Sequence, residues 1–352
     1  MDEDLRTLER IASEHPGDQA ALAKLERARV RKGLGWRGED LRPLIDLNRG
    51  AWLDTKADEP GVYRWLRHDT PIESSPEFVY VSGGEMECLS CSGSGWEVTH
   101  SLSGPERDGC NACFGKGKWP GQVTIDPFYI GRFPVTWGEY RAFCFATEGE
   151  RLPCLPWEEL RPEHFRHPVV RVSGQDALDY CAWSGLRLPT REEWRWAALG
   201  PQIVPSSGDQ EDGSGSRSRR YPWGDDPPSP ERCVWEGHPI YGRRHTAPVK
   251  ERARDLIARG VAVALRRHND LGALDDFYPA RPAGQSWCGA HDMVGNVWEW
   301  CSDMMVYGGG SFWTERDPQP VVEPIDIREE IGRLIDIGFR VALSFPKTAR
   351  SA

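Results

Sequence analysis

The stretch His291-Asp292-Met293-Val294-Gly295-Asn296-Val297-Trp298-Glu299-Trp300 most constrains what this chain can fold into. Two tryptophans and a valine interleave with the polar Asn296 and Glu299. This is the pattern of a strand with one face in an aromatic core and the other against polar groups. After a short gap come Gly308-Gly309-Gly310-Ser311-Phe312-Trp313 and then Ile337-Gly338-Phe339-Arg340-Val341-Ala342-Leu343, a glycine-rich turn and a closing apolar run. Taken alone, the pattern describes a buried strand beside a polar pocket.

A chain of 352 residues can bury a large core, and the usual size range gives it room for about two domains. Charged residues make up 28% and the net charge is −10, so no general attraction to nucleic acid phosphates is expected. The start, Met1-Asp2-Glu3-Asp4-Leu5-Arg6, is acidic and lacks the basic, apolar, small-residue order of a signal peptide. No apolar run reaches the roughly 18 residues of a membrane span. The expectation is a cytoplasmic protein whose ten cysteines are reduced thiols or metal ligands. The sixteen tryptophans suit cores and half-buried platforms.

Leu5, Leu8 and Ile11, then Ala20, Leu22, Leu25 and Ala28, fall at helical spacing on either side of the turn-like Glu14-His15-Pro16-Gly17-Asp18, which predicts a helical hairpin. It is similar to helical segments at the front of multidomain bacterial proteins. A further helix-like piece and a mixed, proline-containing stretch follow, so residues 1–75 are read as a helical N-terminal appendage to a unit spanning 76–348. Phe78 to Val81, ending in Gly83-Gly84, predicts a strand and a turn, and Gln122 to Thr136 a second strand pair before a helix at Trp137. His167 to Val172 reads as a strand. Ala177, Tyr180, Cys181 and Ser184 share one side of the next helix, and Thr190 with Glu193 forms a capping box for another. Residues 206–220 read as a loop. Ala253, Leu256, Ile257, Val261, Ala264 and Leu265 predict an amphipathic helix from Glu251 to His268, inside an insertion at 250–278. It either packs on the flank of the domain or docks a partner.

Between the first strands lie Cys88-Leu89-Ser90-Cys91-Ser92-Gly93-Ser94-Gly95 and Cys110-Asn111-Ala112-Cys113-Phe114-Gly115-Lys116-Gly117, with 18 residues between the pairs. Two residues between thiolates let both sulfurs reach one tetrahedral ion, and the glycines let backbone N–H groups turn toward the sulfurs. Cys88, Cys91, Cys110 and Cys113 are therefore expected to hold a closed, structural zinc ion within an insertion at 87–120; a redox pair is the alternative. Each unit resembles the repeats of the DnaJ-type zinc domain, of which this chain has half. The expected role is to staple a long hairpin that has no core of its own.

Gly295-Asn296-Val297-Trp298-Glu299-Trp300, Gly309-Gly310-Ser311-Phe312 and Ile337-Gly338-Phe339-Arg340-Val341-Ala342-Leu343, with Arg187-Leu188-Pro189-Thr190-Arg191-Glu192-Glu193-Trp194, resemble the formylglycine-generating (sulfatase-modifying factor) family. The resemblance implies an α+β fold, a variant of the C-type lectin fold. It also implies where catalysis would sit: members that make formylglycine use a cysteine pair between the glycine turn and the final Gly-Phe-Arg to hold copper. Here the segment 313–337 contains neither Cys nor His, and the last cysteine is Cys301. Without thiolates there, that copper chemistry has no ligands.

Another enzymatic branch of the superfamily uses a histidine-rich iron site; His164 and His167 with Glu163 are the nearest approach to one. Asn296 and Glu299 suit a calcium ion, which the family often carries near this strand; the alternative is that both bond turn backbone. In lectin-fold relatives the segment after the glycine turn displays the ligand surface. The reading is a non-catalytic binding module that recognises a protein or peptide partner, not nucleic acid or membrane, through a cleft around Trp313, Glu315, Arg316 and Arg340. The rivals are a metal-dependent oxidase or other protein-modifying enzyme, and a DnaJ-like peptide adaptor.

Overall fold

The computed structural model describes residues 45–46, 51–56, 59, 61–67, 70, 74–87, 96–101, 104–109, 122–147, 161–201, 219–242, 245–261, 276–303, 306–307, 310–314 and 333–344. In chain order the first elements are β1 (Ile45–Asp46), β2 (Ala51–Thr55), β3 (Val62–Arg67), β4 (Glu77–Val81), β5 (Gly84–Glu87), β6 (Trp96–Ser101), β7 (Gly104–Gly109), β8 (Gln122–Ile125) and β9 (Phe128–Gly131). Three helices follow, α1 (Trp137–Ala146), α2 (Gly174–Ser184) and α3 (Arg191–Leu199). Next come β10 (Lys250–Arg252), the short α4 (Ala253–Ala258), β11 (Phe277–Pro279), β12 (Trp298–Trp300), β13 (Val306–Tyr307), β14 (Ile337–Phe339) and β15 (Ala342–Ser344).

The main sheet has the order β1-β2-β3-β4-β9-β15, antiparallel throughout. Successive side chains of a strand face opposite sides. On β4, Phe78 joins a core with α1 and α2, while Val79 and Val81 join a second core with α3. On β9, Tyr129 goes to the first core and its neighbours Phe128 and Ile130 to the second. A sheet covered on both faces explains why Phe128-Tyr129-Ile130 is an uninterrupted apolar run. Each such side chain contributes roughly 1.5–3 kcal/mol. The second sheet is small, β13-β12-β14, and sets Trp298 beside Ile337 in a parallel pair.

The helices begin where the sequence places their caps. Thr190 accepts from the Glu193 backbone N–H while the Glu193 carboxylate accepts from that of Thr190, and Ser173 with Asp176 and Thr136 with Glu139 repeat the device. On α2 the predicted side, Ala177, Tyr180, Cys181 and Ser184, is buried.

Three expectations are corrected. Within the supposed helical appendage, residues 45–67 hold β1, β2 and β3, which extend the main sheet; the predicted hairpin at 1–32 lies outside the described residues. Val62-Tyr63-Arg64-Trp65-Leu66-Arg67 forms a strand because its β-branched and aromatic residues have a sheet edge, that of β4, to pair with. His167 to Val172 is no ladder strand, being held by a bridge from Thr136 to Pro168. The insertion at 250–278 begins as β10, paired with β11, and its helix covers only Ala253–Ala258 before Gly260 at φ 78°; 262–275 lie outside the described residues. The loop expected at 206–220 lies outside them too, except for Arg219 and Arg220.

A buried ionic cluster ties the β2–β3 turn to β4, β9 and β10. Glu77 meets Lys56 at 3.1 Å, Arg132 at 3.2 Å and Lys250 at 3.2 Å, and Glu59 meets Arg132 at 2.6 Å and Lys56 at 2.7 Å. Burial pushes both carboxyls up, but the surrounding cations outweigh it: Glu77 is held well below the ordinary range and Glu59 at about 2. A folded pKa below the unfolded one gives stability that is complete above the unfolded value of 4.5 and is lost as pH falls toward about 2. Thermal melts should therefore show a steep loss between those values. Glu59→Gln should flatten that slope and cost on the order of 2 kcal/mol at neutral pH, its partial exposure discounted.

Candidate functional site

The motif at 291–300 is a structural hub. Arg340 and Glu299 are both wholly buried. Arg340 donates through Nε to Glu299 Oε2 (2.6 Å) and through Nη2 to Oε1 (2.7 Å), and further to the carbonyls of Gly131, His291 and Asp292. The Trp194 indole of α3 donates to the same Oε2 at 2.7 Å. Such a fork gives Glu299 a partner for each oxygen.

Asn296 is also fully buried. Its Oδ1 accepts from the Ala247 N–H at 2.9 Å and its Nδ2 donates to the Ala247 carbonyl at 3.1 Å, so it completes a strand-like pair with backbone. It adopts φ 67°, next to Gly295 at φ 74°, where a Cβ would lie 2.2 Å from the Val234 carbonyl oxygen. The tight turn needs glycine there.

Asn296 and Glu299 thus bond different partners, and a cation at Glu299 would have to displace Arg340 from both of its oxygens. No cation is assigned to them. Arg340, expected at the ligand surface, is corrected to an interior charge: it is 0% exposed and its guanidinium is spent on the hub.

The described cysteines outside the zinc motif are free thiols, four of them buried. Burial pushes the thiols of Cys144 and Cys233 up to about 12, and those of Cys181, Cys288 and Cys301 upward as well. A thiol held protonated is neither a nucleophile nor a ready metal ligand. Cys88, Cys91, Cys110 and Cys113 lie outside the described residues, as do Glu315 and Arg316.

His164 and His167 do approach, with ring centroids 5.7 Å apart, and the structure adds His245, 6.0 Å from His167, which the sequence reading missed. His164 Nδ1 accepts from the Arg161 N–H and His167 Nδ1 contacts the Thr246 hydroxyl at 3.1 Å. Burial, then the neighbouring imidazoles, push His167 down to about 3, which keeps it neutral. Among the described residues, no group of three or more His, Cys, Asp or Glu side chains is arranged to hold a metal ion.

Ser311 Oγ donates to Asp336 Oδ2 at 2.6 Å, so the two ends of the segment between them meet. Beside this clasp, Trp313 is 48% exposed, and Leu334 and Ile335 are exposed as well. The Trp313 N–H donates to Ser311 Oγ and the Thr314 hydroxyl accepts from the Ser311 N–H, which fixes the turn that presents the ring.

The family described as the sulfatase-modifying factor enzyme 1-like domain matches residues 66–344, from the end of β3 through β15. The chain belongs to this family. It is 27% identical over 276 residues to the inactive C-alpha-formylglycine-generating enzyme 2 of Mus musculus, covering 63% of this chain and 77% of that protein. Identity is 35% over 230 residues to the formylglycine-generating enzyme of Streptomyces coelicolor, covering 51% of this chain and 59% of that one. It is 31% over 209 residues to the hercynine oxygenase of Mycolicibacterium thermoresistibile, of which this chain spans 36%. Sulfatase-modifying factor relatives thus carry inactive and enzymatic names alike, and membership alone does not choose between them. No described helix is long and apolar enough to cross a membrane.

Removing one member of the hub pair strands the other charge in the interior. Arg340→Leu should therefore destabilise the domain by roughly 3–5 kcal/mol, whereas Arg340→Leu with Glu299→Leu should recover part of that loss; chemical denaturation of the three proteins checks this.

Proposed function

We propose that this chain is a non-catalytic, formylglycine-generating-enzyme-like binding module that recognises a protein or peptide partner through the cleft around Trp313. The observation that carries the reading is the exposed Trp313, with Leu334 and Ile335, on a turn clasped by Ser311 and Asp336. An aromatic platform on a rigid base is the ordinary anchor of a protein interface. Glu315 and Arg316 follow it in sequence and would supply polar contacts; Arg340, spent on Glu299 and the carbonyls of Gly131, His291 and Asp292, takes no part in recognition. Two features favour binding over oxidation: the segment 313–337 contains no cysteine, and the described thiols are held protonated. The C-type-lectin-like character of the fold and a cytoplasmic location belong to the same proposal.

The proposal includes a structural zinc ion on Cys88, Cys91, Cys110 and Cys113. In sequence one knuckle lies between Glu87 and Trp96 and the other between Gly109 and Gln122. Glu87 pairs with Gln122 and Trp96 with Gly109, so the two ladders bracket both knuckles. A four-thiolate ion would join the β5–β8 ladder to the β6–β7 ladder and hold them as one arm.

Elemental analysis of the purified chain should find one zinc per molecule, lost in Cys88→Ser with Cys110→Ser. Stoichiometric copper or iron would instead favour a metal-dependent modifying enzyme and overturn the reading. Affinity capture should retain a partner that Trp313→Ala loses, with roughly tenfold or greater weakening. A partner held equally by both proteins would remove the cleft from the proposal.

A further inference from the structure

A pocket of about 250 Å³ lies where the base of the hairpin insertion meets α3, built from other elements than the Trp313 cleft. Gly84 of β5 passes so close to α3 that a Cβ there would lie 2.4 Å from the Trp196 ring, and the Trp196 indole donates to the Ser82 carbonyl at 2.8 Å. Those contacts fix β5 against the helix and leave the space beside them open. Met86, Trp196 and Leu199 supply the apolar part of the lining, while Glu85 and Glu87 on β5 are exposed.

Arg195 also lines this pocket. Its helix neighbours are both committed, Trp194 to Glu299 and Trp196 to Ser82. Arg195 is half-buried and, among the described residues, its guanidinium has no hydrogen-bond acceptor; it senses only the charge of Glu87. A guanidinium carries five donors in a fixed fork that suits a carboxylate, and partly desolvated donors left unmatched are costly. Two glutamates against one arginine make the lining net negative, which disfavours a simple anion. A cation alone would leave the Arg195 donors unmatched. A molecule bearing both charges satisfies each side.

We propose that this pocket binds a ligand that carries a carboxylate close to a cationic group, a zwitterion of the α-amino acid class. Arg195 takes the carboxylate, Glu87 and Glu85 take the ammonium, and Met86, Trp196 and Leu199 take its apolar part. The same pair of charges is offered by a free amino acid and by neighbouring acidic and basic side chains of a peptide.

Calorimetric titration of the full chain with free L-amino acids, their C-terminal amides and their N-acetyl derivatives tests this, with a capped Asp-Lys dipeptide as the peptide source. Saturable binding of a free amino acid is expected, with its amide and its N-acetyl form weaker by roughly tenfold or more. Binding of the dipeptide alone would assign the same site to a peptide. Arg195→Gln should abolish binding in either case and Glu87→Gln should weaken it, both with unchanged melting, since neither side chain holds the fold. Trp313→Ala should leave it untouched, which separates this site from the cleft. Absence of saturable binding by any probe, or binding indifferent to Arg195→Gln, would overturn the proposal.

Discussion

The bidentate pair of Arg340 and Glu299 is the interaction on which the rest of the structure depends. Taking two charges out of water costs several kcal/mol each, and attraction repays that only when every remaining lone pair and proton finds a partner. Here they do: the guanidinium also reaches the carbonyls of Gly131, His291 and Asp292, and the carboxylate also accepts from Trp194. The partners come from the end of β9, the loop before β12, β12 itself and α3. One ion pair therefore ties together the main sheet, the small sheet and α3. A neighbouring pair, Arg281 with Asp292 at 2.8 Å, holds the same loop from its other side. Asn296 then joins that loop to Ala247, and the Phe312 N–H donates to the Asn296 carbonyl, which carries the order outward to the turn bearing Trp313.

That chain of contacts separates what holds the fold from what can recognise a ligand. Polar residues of the 291–300 motif are turned inward: Asn296 to backbone, Glu299 to arginine, and His291 to the Arg281 carbonyl through Nδ1 while it stacks on Phe133 at 5.4 Å, its Nε2 left without a hydrogen-bond partner among the described residues. Burial, then the Arg132 charge, push the His291 imidazole down to about 3, so it stays neutral in the interior. Two groups nearer the surface are not consumed in this way, Trp313 beside the Ser311–Asp336 clasp and Arg195 on α3 beside the β5–β8 ladder. Loops on a rigid base are where recognition is commonly carried. The position of these groups follows from the hub rather than from any chemistry of their own.

Much of this was legible in the sequence, and the failures have physical causes. Thr190 with Glu193 announces a helix start because both halves of a capping box lie within four residues. The strand pair predicted at 122–136 is present as β8 and β9, and the unbroken apolar run Phe128-Tyr129-Ile130 fits the burial of β9 on both faces. Arg340 was misread because an arginine in an apolar run can be buried only if a carboxylate meets it, and its carboxylate is 41 residues away. The signal existed in outline, since Glu299 sits between two tryptophans where an exposed charge has no place. β2 and β3 were missed because a strand at the sheet margin is defined by its partner: Val62 to Arg67 is ordered by pairing with β4, and local pattern does not name that edge. His245 was missed for the same reason, lying far in sequence from His167, whose ring it approaches.

Among the described residues, the base of the insertion is the β5–β8 ladder. At the base, Gly84 is required by the Trp196 ring, and Arg195 on the same helix is left beside two glutamates instead of being paired with one. An arginine whose only role was to close the base would form a salt bridge with Glu87, as Arg187 does with Glu193 at 2.6 Å on the preceding turn. In the empty pocket its half-buried guanidinium meets water, which a ligand carboxylate can replace. That asymmetry between Arg187, just before α3 and paired to it, and Arg195, within α3 and unpaired, is what assigns Arg195 a ligand in the proposal above.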